Sequence, residues 1–295
     1  MTDERFFPPR NFAATPQEYA RFEAARVVVL PVPYDATTTA RAGAREGPRA
    51  IIDASEDMEL YDLALGYEPY RVGIHTLPEL AYDAGSPQAT SARVEEVVGE
   101  LIDAGKLVVT LGGEHTVAVG AARAHARRWP VLSVLALDAH ADLRDEYLGT
   151  AYNHSCTLRR ILEVCPVVQV GLRSAASEEH QLIRQRGLPF YSVEEYRSLT
   201  DAAIRVAEQL GPDVYVTIDL DVLDPSQMAA VGTPEPGGLW WHEVAALLAA
   251  VARERRIVGF DVTELSPSLG PPANAQAAAK LVYRLIGLAL PPGES

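Results

Sequence analysis

The sequence predicts an α/β fold: a three-layer αβα sandwich with a mainly parallel central sheet, forming a single domain over residues 1–295. Two patterns indicate it, namely six short β-branched runs that are apolar almost throughout and longer helix-like stretches that alternate with them. Continuous apolarity is typical of strands buried on both faces, and strand–helix alternation is typical of parallel sheets. A chain of 295 residues with 48% hydrophobic composition is long enough to bury one large core.

The predicted strands each end in a polar or glycine-containing turn, and they are VVVLPVPYD (27–35), LVVTLGGEH (107–115), VLSVLALDAHAD (131–142), VVQVGLRS (167–174), VYVTIDLD (214–221) and IVGFDVTE (257–264). The main predicted helices are TSARVEEVVGELIDAG (90–105), TVAVGAARAHARRW (116–129), HEVAALLAAVARER (242–255) and AQAAAKLVYRLIGLAL (275–290). Sheets of this kind bind ligands beyond the carboxyl ends of their strands, so we expect the chemistry there.

Composition excludes several classes of partner. The formal net charge is −14, whereas nucleic acids and anionic membranes require clustered Lys and Arg. A small cationic substrate is compatible with this charge. The first residues, MTDERFFPPR, lack the apolar region of a signal peptide, and no apolar run approaches the length of a membrane span. With only Cys156 and Cys165 there is no disulfide framework, and we expect a cytoplasmic protein.

Three of the predicted strand ends carry polar residues that a buried strand would otherwise avoid: His115; Asp138, His140 and Asp142; and Asp219 with Asp221. Residues two apart in an extended segment project to the same side, so each set can converge on one point. Four carboxylates crowded at the edge of an apolar core require cations, and two divalent ions balance them. Oxygen and nitrogen ligands without thiolate favour Mn²⁺, with Zn²⁺, Co²⁺ or Fe²⁺ as alternatives.

Each of these motifs has an ordinary structural explanation when taken alone. A single Asp-x-His-x-Asp or Asp-x-Asp is usually a turn or a cap, and a single histidine such as His115 is usually part of the core. The three motifs together each follow a buried strand, at the edge where α/β sheets place ligands. This combination favours a site for two metal ions.

Several segments resemble the ureohydrolase family, which includes arginase and agmatinase. They are GGEH (112–115), DAHADLR (138–144), NHSC (153–156), IDLDVLDP (218–225) and DVTELSP (261–267), preceded by PYDATTTARAGAREGPRAI (33–51). The resemblance covers nearly the whole chain. The segment DLRDEYLGTAYNHS (142–155) is most similar to agmatinases, and the family implies a homo-oligomer, either a trimer or a hexamer.

The resemblance also implies how the metal ligands are shared, with His115 and Asp142 completing one site, His140 and Asp221 completing the other, and Asp138 and Asp219 bridging both ions. A solvent molecule between two cations loses its proton near neutral pH, and this hydroxide would attack the guanidinium carbon. The family implies that Glu264 grips the guanidinium and that His154 transfers the proton. No thiol nucleophile is required, so Cys156 is not expected to act in catalysis.

The substrate that these features favour is agmatine, hydrolysed to putrescine and urea. Agmatine ends in an ammonium group, for which acidic and aromatic partners are suitable, and the candidates are Asp145, Glu146 and Tyr152. Arg144 could instead bind a carboxylate, as in guanidinobutyrate or formiminoglutamate. Arginase, guanidinobutyrase and a non-catalytic metal- or polyamine-binding homologue are the alternatives. A deacetylase-like amidohydrolase typically binds a single Zn²⁺ and lacks this six-ligand set.

Overall fold

The structure is a computed structural model that describes residues 10–292, so the outermost residues of the predicted domain, 1–9 and 293–295, lie outside it. Its fold class is the predicted one, with a central sheet in which every paired strand is parallel. The strands are β1 (Val27–Val32), β2 (Ile74–Thr76), β3 (Leu107–Gly112), β4 (Leu132–Leu137), β5 (Val167–Leu172), β6 (Phe190–Ser192), β7 (Asp213–Asp219) and β8 (Arg256–Thr263).

The spatial order of the strands is β2-β1-β3-β8-β7-β4-β5-β6. All six predicted strands are present, while β2 and β6 were not predicted. Each of these two has three residues and lies at an edge of the sheet, which is too short for a residue pattern to be recognised. The four central strands are β3, β8, β7 and β4, and they are the ones that carry the polar motifs at their carboxyl ends.

The helices are α1 (Gln17–Ala20), α2 (Gly47–Ser55), α3 (Pro87–Asp103), α4 (Val117–Arg128), α5 (Thr157–Ile161), α6 (Ser177–Arg186), α7 (Val193–Ser198), α8 (Ala202–Glu208), α9 (Trp241–Glu254) and α10 (Ala273–Ala289). Helices α3, α4, α9 and α10 confirm the four main predicted helices. Short 3₁₀ turns include His154–Cys156 and Leu220–Val222. Within residues 10–292, none of the helices combines the length and apolarity that crossing a membrane demands.

Two hydrophobic cores hold the layers together, one on each face of the sheet. Along β1, Val27 and Val29 belong to the core that contains residues of α2, α9 and α10. Val28 and Leu30 point the other way, into the core that contains residues of α3 and α4. This alternation within a wholly apolar strand is why the sequence pattern of continuous burial predicted a covered sheet.

One contact between layers depends on a glycine. His125 of α4 is fully buried, and its ring lies 4.5 Å from the ring of Tyr215 in β7. Its Nδ1 lies 2.7 Å from Ala121 O, and burial lowers the pKa of the imidazole to about 4. A Cβ on Gly259 of β8 would lie 2.1 Å from His125 Nε2. The α4–sheet packing therefore requires glycine at this position.

Gly259→Ala is expected to lower the free energy of unfolding by about 1–3 kcal/mol, because the added methyl group overpacks the core against His125. Gly99→Ala is the matched control, since a Cβ at Gly99 in α3 would have no neighbour within 4 Å. Removing a helical glycine there should stabilise the protein by roughly 0.5–1 kcal/mol. Urea unfolding midpoints check both, and a Gly259→Ala protein as stable as the parent would contradict the packing.

Candidate functional site

The polar motifs of the central strands meet at one edge of the sheet. His115 lies in the turn between β3 and α4, Asp138 follows β4, Asp219 ends β7 and Glu264 follows β8. Because the four strands are parallel neighbours, their carboxyl ends are adjacent. The structure thus brings together residues that are up to 149 positions apart in the chain, the separation of His115 from Glu264.

His115 is the centre of a first group of possible metal ligands. Its Nδ1 lies 3.2 Å from Asp138 Oδ2, 3.1 Å from Asp142 Oδ2 and 3.8 Å from Asp219 Oδ2. All four side chains are buried. The ligand atoms of His115, Asp138 and Asp219 lie within 4.8 Å of one another, which is close enough for one cation to contact all three.

A second group forms around His140. Its Nδ1 lies 2.8 Å from Asp221 Oδ2 and 3.8 Å from Asp138 Oδ1. Asp138, His140 and Asp221 again have ligand atoms within 4.8 Å of one another. Asp138 belongs to both groups, directing one oxygen to each, and this is the geometry that a bridging carboxylate requires.

The electrostatics of the groups show an excess of negative charge. Burial, reinforced by Asp142, raises the pKa of Asp138 to about 7. Burial opposes the charged form of His140, but Asp221 and the other carboxylates outweigh it and raise its pKa to about 10. Burial likewise opposes charge on His115, whose pKa is nevertheless raised well above its ordinary value by Asp138 and Asp142. Both shifts reflect the number of carboxylates that surround the two imidazoles.

Divalent cations fit this environment better than protons do. Asp138 Oδ2 is buried and accepts no hydrogen bond from the part of the chain that the structure describes. Carboxylate oxygens and imidazole nitrogens are suitable donors for Mn²⁺, Zn²⁺ and related ions. The donor set therefore suits divalent cations in its chemistry. Asp138 is shared by the two groups, whereas Asp219 belongs to the first group alone, and Asp142 approaches that group through His115 Nδ1 at 3.1 Å.

The side chains converge by a route that differs from the expected one. Strand β4 ends at Leu137, and Asp142 adopts a left-handed backbone conformation with φ of 49°. Asp221 lies in a 3₁₀ turn, where its N–H donates to Asp219 Oδ1 at 2.8 Å. Turns, and not the alternation of an extended strand, bring these carboxylates together.

Glu264 lies beside the first group. It also has a left-handed backbone, with φ of 69°, and its N–H donates to Gly113 O at 2.7 Å. Its Oε1 accepts a hydrogen bond from the backbone N–H of His115 at 2.7 Å. Burial, together with the nearby Glu114, raises the pKa of Glu264 to about 8, so a cationic ligand at this position would stabilise its ionised form.

His154 lines a cavity together with His140 and Asp142. Its Nε2 is 3.0 Å from Thr39 Oγ1, and its backbone N–H donates to Thr37 Oγ1 at 3.2 Å. Thr37 is in turn anchored through its own N–H to Glu114 Oε2 at 2.7 Å. Burial lowers the pKa of His154, which keeps the imidazole neutral at pH 7.

Sequence reasoning did not assign roles to Thr37, Thr39 or Glu114. The available signal was their position inside the quoted segments PYDATTTARAG and GGEH. Glu114 is fully buried between those segments, and a buried glutamate needs hydrogen-bond donors. The structure supplies them from Thr37 and from Thr116, whose Oγ1 donates to Glu114 Oε1 at 2.7 Å.

A cavity of about 320 Å³ opens onto the groups, lined among others by Thr39, His140, Asp142, Arg144, Tyr147 and His154. The guanidinium of Arg144 lies 4.5 Å from the centre of the Tyr147 ring. Of the candidate ligands, His140 and Asp142 line the cavity, together with residues of the 142–155 loop, whereas Glu264 is not among its lining residues.

The three residues predicted to bind the substrate tail do not line this cavity. Asp145 pairs with Arg160 at 2.6 Å, and the hydroxyl of Tyr152 accepts a hydrogen bond from Arg123 Nη1 at 2.8 Å. Asp145 and Glu146 line a neighbouring cavity that shares Arg144 with the first. Arg160 of α5 thus holds Asp145, and Arg123 of α4 holds Tyr152, contacts that no local sequence pattern indicates.

Cys156 is buried at the start of α5, and burial raises the pKa of its thiol to about 11. A thiol with this pKa is protonated at neutral pH and is a weak nucleophile.

Comparison with known proteins identifies relatives along almost the whole chain. A family model, the arginase family, matches residues 25–287. The N(1)-aminopropylagmatine ureohydrolase of Thermus thermophilus is 42% identical over 270 residues, covering 91% of this chain and 92% of that protein. The agmatinase of Bacillus cereus is 33% identical over 255 residues, covering 85% and 87%. The crystal structure of agmatine ureohydrolase of Thermoplasma volcanium has a TM-score of 0.88 at 31% identity, covering 97% of this chain and 96% of that chain.

Mn²⁺ is expected to stabilise the parent protein, and Asp138→Asn is expected to lose most of that stabilisation, because Asp138 belongs to both ligand groups. An ion present at 100 times its Kd stabilises the folded state by about 2.7 kcal/mol. The thermal unfolding midpoint, measured with and without Mn²⁺, reports this difference. Asp103→Asn, at an exposed position at the end of α3, should respond to Mn²⁺ as the parent does. An equal response from Asp138→Asn would refute a shared site.

Proposed function

The chain belongs to the arginase family and is a ureohydrolase, a hydrolase of C–N bonds in linear amidines, and we propose that it releases urea from a guanidino compound with a cationic amine tail. The observation that carries this proposal is the pair of ligand groups around His115 and His140, at the carboxyl ends of β3, β7 and β4, with Glu264 beside the first group. The use of Mn²⁺ and the homo-oligomeric state implied by the family resemblance are part of the same proposal.

The proposed ligands of the two ions are the six predicted residues: His115, Asp138, His140, Asp142, Asp219 and Asp221. When bound, the ions would supply a hydroxide nucleophile near neutral pH. The four aspartates would balance the charge of two divalent cations, and the sheet holds these side chains in place before any substrate arrives. Such preorganisation is a large part of how a site stabilises developing charge.

Glu264 is proposed to hold the guanidinium. This group is planar and carries several N–H donors, for which a carboxylate is a suitable paired acceptor. Glu264 Oε1 is anchored by the His115 backbone N–H at 2.7 Å, so the carboxylate is fixed relative to the metal ligands. A substrate held here would present its central carbon to the nucleophile in a defined orientation.

His154 is proposed to move the proton. Its imidazole lines the cavity, and burial keeps it neutral, so Nε2 can take up a proton and deliver it to the departing amine. Thr39 Oγ1, 3.0 Å from Nε2, would orient the ring. Without such a donor the amine would have to leave as a strongly basic anion.

The proposed substrate tail is an amine, and the names of the relatives support this. Agmatine, the substrate predicted from the sequence, ends in one ammonium group, and N1-aminopropylagmatine extends it by an aminopropyl group. Since the relative with 42% identity is named for the latter, we propose N1-aminopropylagmatine as the preferred substrate and agmatine as a slower one. Loss of urea from N1-aminopropylagmatine would leave spermidine.

Glu235 is a suitable partner for such a tail. Its Oε1 lies 3.9 Å from His140 Nε2, and 36% of its side chain is exposed. Pro234 and Pro236 flank it, and its carbonyl accepts a hydrogen bond from Arg173 Nη2 at 2.8 Å. A half-exposed carboxylate on a restrained loop next to the ligand group can attract an ammonium with little ordering cost.

A second candidate is a guanidino acid such as 4-guanidinobutyrate. The observation in its favour is Arg144, which lines the cavity and stacks on Tyr147. A guanidinium group in this position could pair with a substrate carboxylate. The two candidates differ in the charge at the far end of the substrate, so one experiment separates them.

Urea release by the Mn²⁺-loaded protein is expected to have its highest kcat/KM with N1-aminopropylagmatine, followed by agmatine, with arginine and 4-guanidinobutyrate far behind. Glu235→Gln should raise KM for the two amines by about tenfold or more, since a hydrogen bond to a charged group contributes roughly 1.5–3 kcal/mol. Its KM for 4-guanidinobutyrate should not rise. Preference of the parent for 4-guanidinobutyrate would instead support the second candidate.

His154→Asn is expected to lower kcat by about 10²–10⁴, the usual contribution of a positioned general acid or base. Mn²⁺ content should be unchanged, because His154 is outside both ligand groups. His180→Asn is the control, at an exposed position in α6, and should retain parental kcat. Steady-state urea release measures both, and a fully active His154→Asn protein would eliminate the proposed proton transfer.

A further inference from the structure

We propose that Thr217 and Asp261 are positioning residues that, together with Tyr215, hold the His115 imidazole in the tautomer whose Nδ1 faces the ligand group. This inference rests on the proposed metal site. None of the three residues was singled out by the sequence motifs as part of the site, and none touches the substrate cavity described above.

The contact begins on the far side of the His115 ring. Nδ1 faces the aspartates, whereas Nε2 lies 2.9 Å from Thr217 Oγ1. Thr217 Oγ1 lies 2.8 Å from Asp261 Oδ1. Thr217 and Asp261 are direct partners on β7 and β8, so the sheet itself fixes their separation.

The direction of each hydrogen bond follows from counting protons. The Tyr215 hydroxyl donates to Asp261 Oδ2 at 2.6 Å, and Thr217 Oγ1 donates its single proton to Asp261 Oδ1. Thr217 Oγ1 can then only accept from His115, which must carry a proton on Nε2. In the neutral imidazole this leaves the lone pair on Nδ1, the form that binds a metal ion.

Asp261 is suited to anchor the chain of hydrogen bonds. It is fully buried in the middle of β8. Burial raises its pKa to about 6, with hydrogen bonds from Tyr215 and Thr217 among the opposing effects, so it is an ionised acceptor at neutral pH. A buried carboxylate is costly without such partners. Asp261 lies on the strand next to Thr217, where it can orient the Thr217 hydroxyl towards His115.

The expected consequence is a difference in affinity between the two metal ions. Outer partners of metal-binding histidines typically contribute 10–100-fold to metal affinity. Of the two candidate histidine ligands, His115 contacts Thr217, whereas His140 directs its Nε2 towards Glu235. Loss of the Thr217 hydroxyl should therefore weaken the binding of one metal ion and leave the affinity for the other unchanged.

The test compares Thr217→Val, which keeps the shape of the side chain, with Thr217→Ser, which keeps its hydroxyl. Metal-free full-length protein is titrated with Mn²⁺ and followed by calorimetry and electron paramagnetic resonance. Thr217→Val should bind one of two ions roughly 10–100-fold more weakly and lose the spin coupling of an ion pair at low occupancy. Thr217→Ser should behave as the parent.

A spectroscopic measurement separates positioning from a general effect on folding. In Zn²⁺-loaded protein with ¹⁵N-labelled histidine, the hydrogen-bonded Nε2–H of His115 should be resolved in the parent and in Thr217→Ser, and should be shifted or lost in Thr217→Val. The thermal midpoint of each variant in EDTA reports the fold without metal.

Parental Mn²⁺ affinity and an unchanged Nε2–H signal in Thr217→Val would overturn the inference. Equal weakening of both ions, in proportion to a lower midpoint in EDTA, would overturn it as well, since that result indicates a structural role. A parent protein that binds two Mn²⁺ ions with the expected Thr217 dependence but releases no urea from any guanidino substrate would defeat the proposed function and leave this inference intact.

Discussion

The crowding of four buried aspartates at one edge of the sheet is the constraint on which the rest of the site depends. Asp138, Asp142, Asp219 and Asp221 are all buried next to one another, and carboxylates in this environment are strongly disfavoured unless positive charge accompanies them. Protonation of His115 and His140 would supply at most two positive charges against four carboxylates. The geometry is therefore that of a site that binds cations. The rest of the fold must hold the four carboxylates close together against their mutual repulsion.

The parallel sheet and its two hydrophobic cores hold these carboxylates in place. The strands β3, β8, β7 and β4 are neighbours, which places four separate chain segments side by side with their carboxyl ends aligned. Apolar packing on both faces holds the strands, so the turns that follow them can adopt conformations with a local cost. The left-handed backbone of Asp142 and of Glu264 is such a cost, and strained residues of this kind cluster at functional sites.

Much of this arrangement could be predicted from the sequence, because it depends on local patterns. Each central strand is a run of apolar residues followed at once by ligand-type side chains, and parallel pairing then requires that those side chains meet. The unpredicted parts depend on contacts between distant segments. Glu114 and Thr37 join two turns that are 77 residues apart, and Tyr152 is drawn away from the cavity by Arg123 of α4. The short edge strands β2 and β6 were missed because three residues are too few to form a pattern.

The same distinction explains why the reaction can be inferred with less difficulty than the substrate. The proposed chemistry belongs to residues at the ends of central strands, whose positions are fixed by the sheet. The proposed recognition of the substrate tail belongs to loops, where Arg144 stacks on Tyr147 and Glu235 lies near His140. These loops present a cation and an anion to the same opening, so composition alone does not decide the charge of the tail. A change of Arg144 or Glu235 would alter the charge presented to the substrate tail while leaving the four buried aspartates in the sequence.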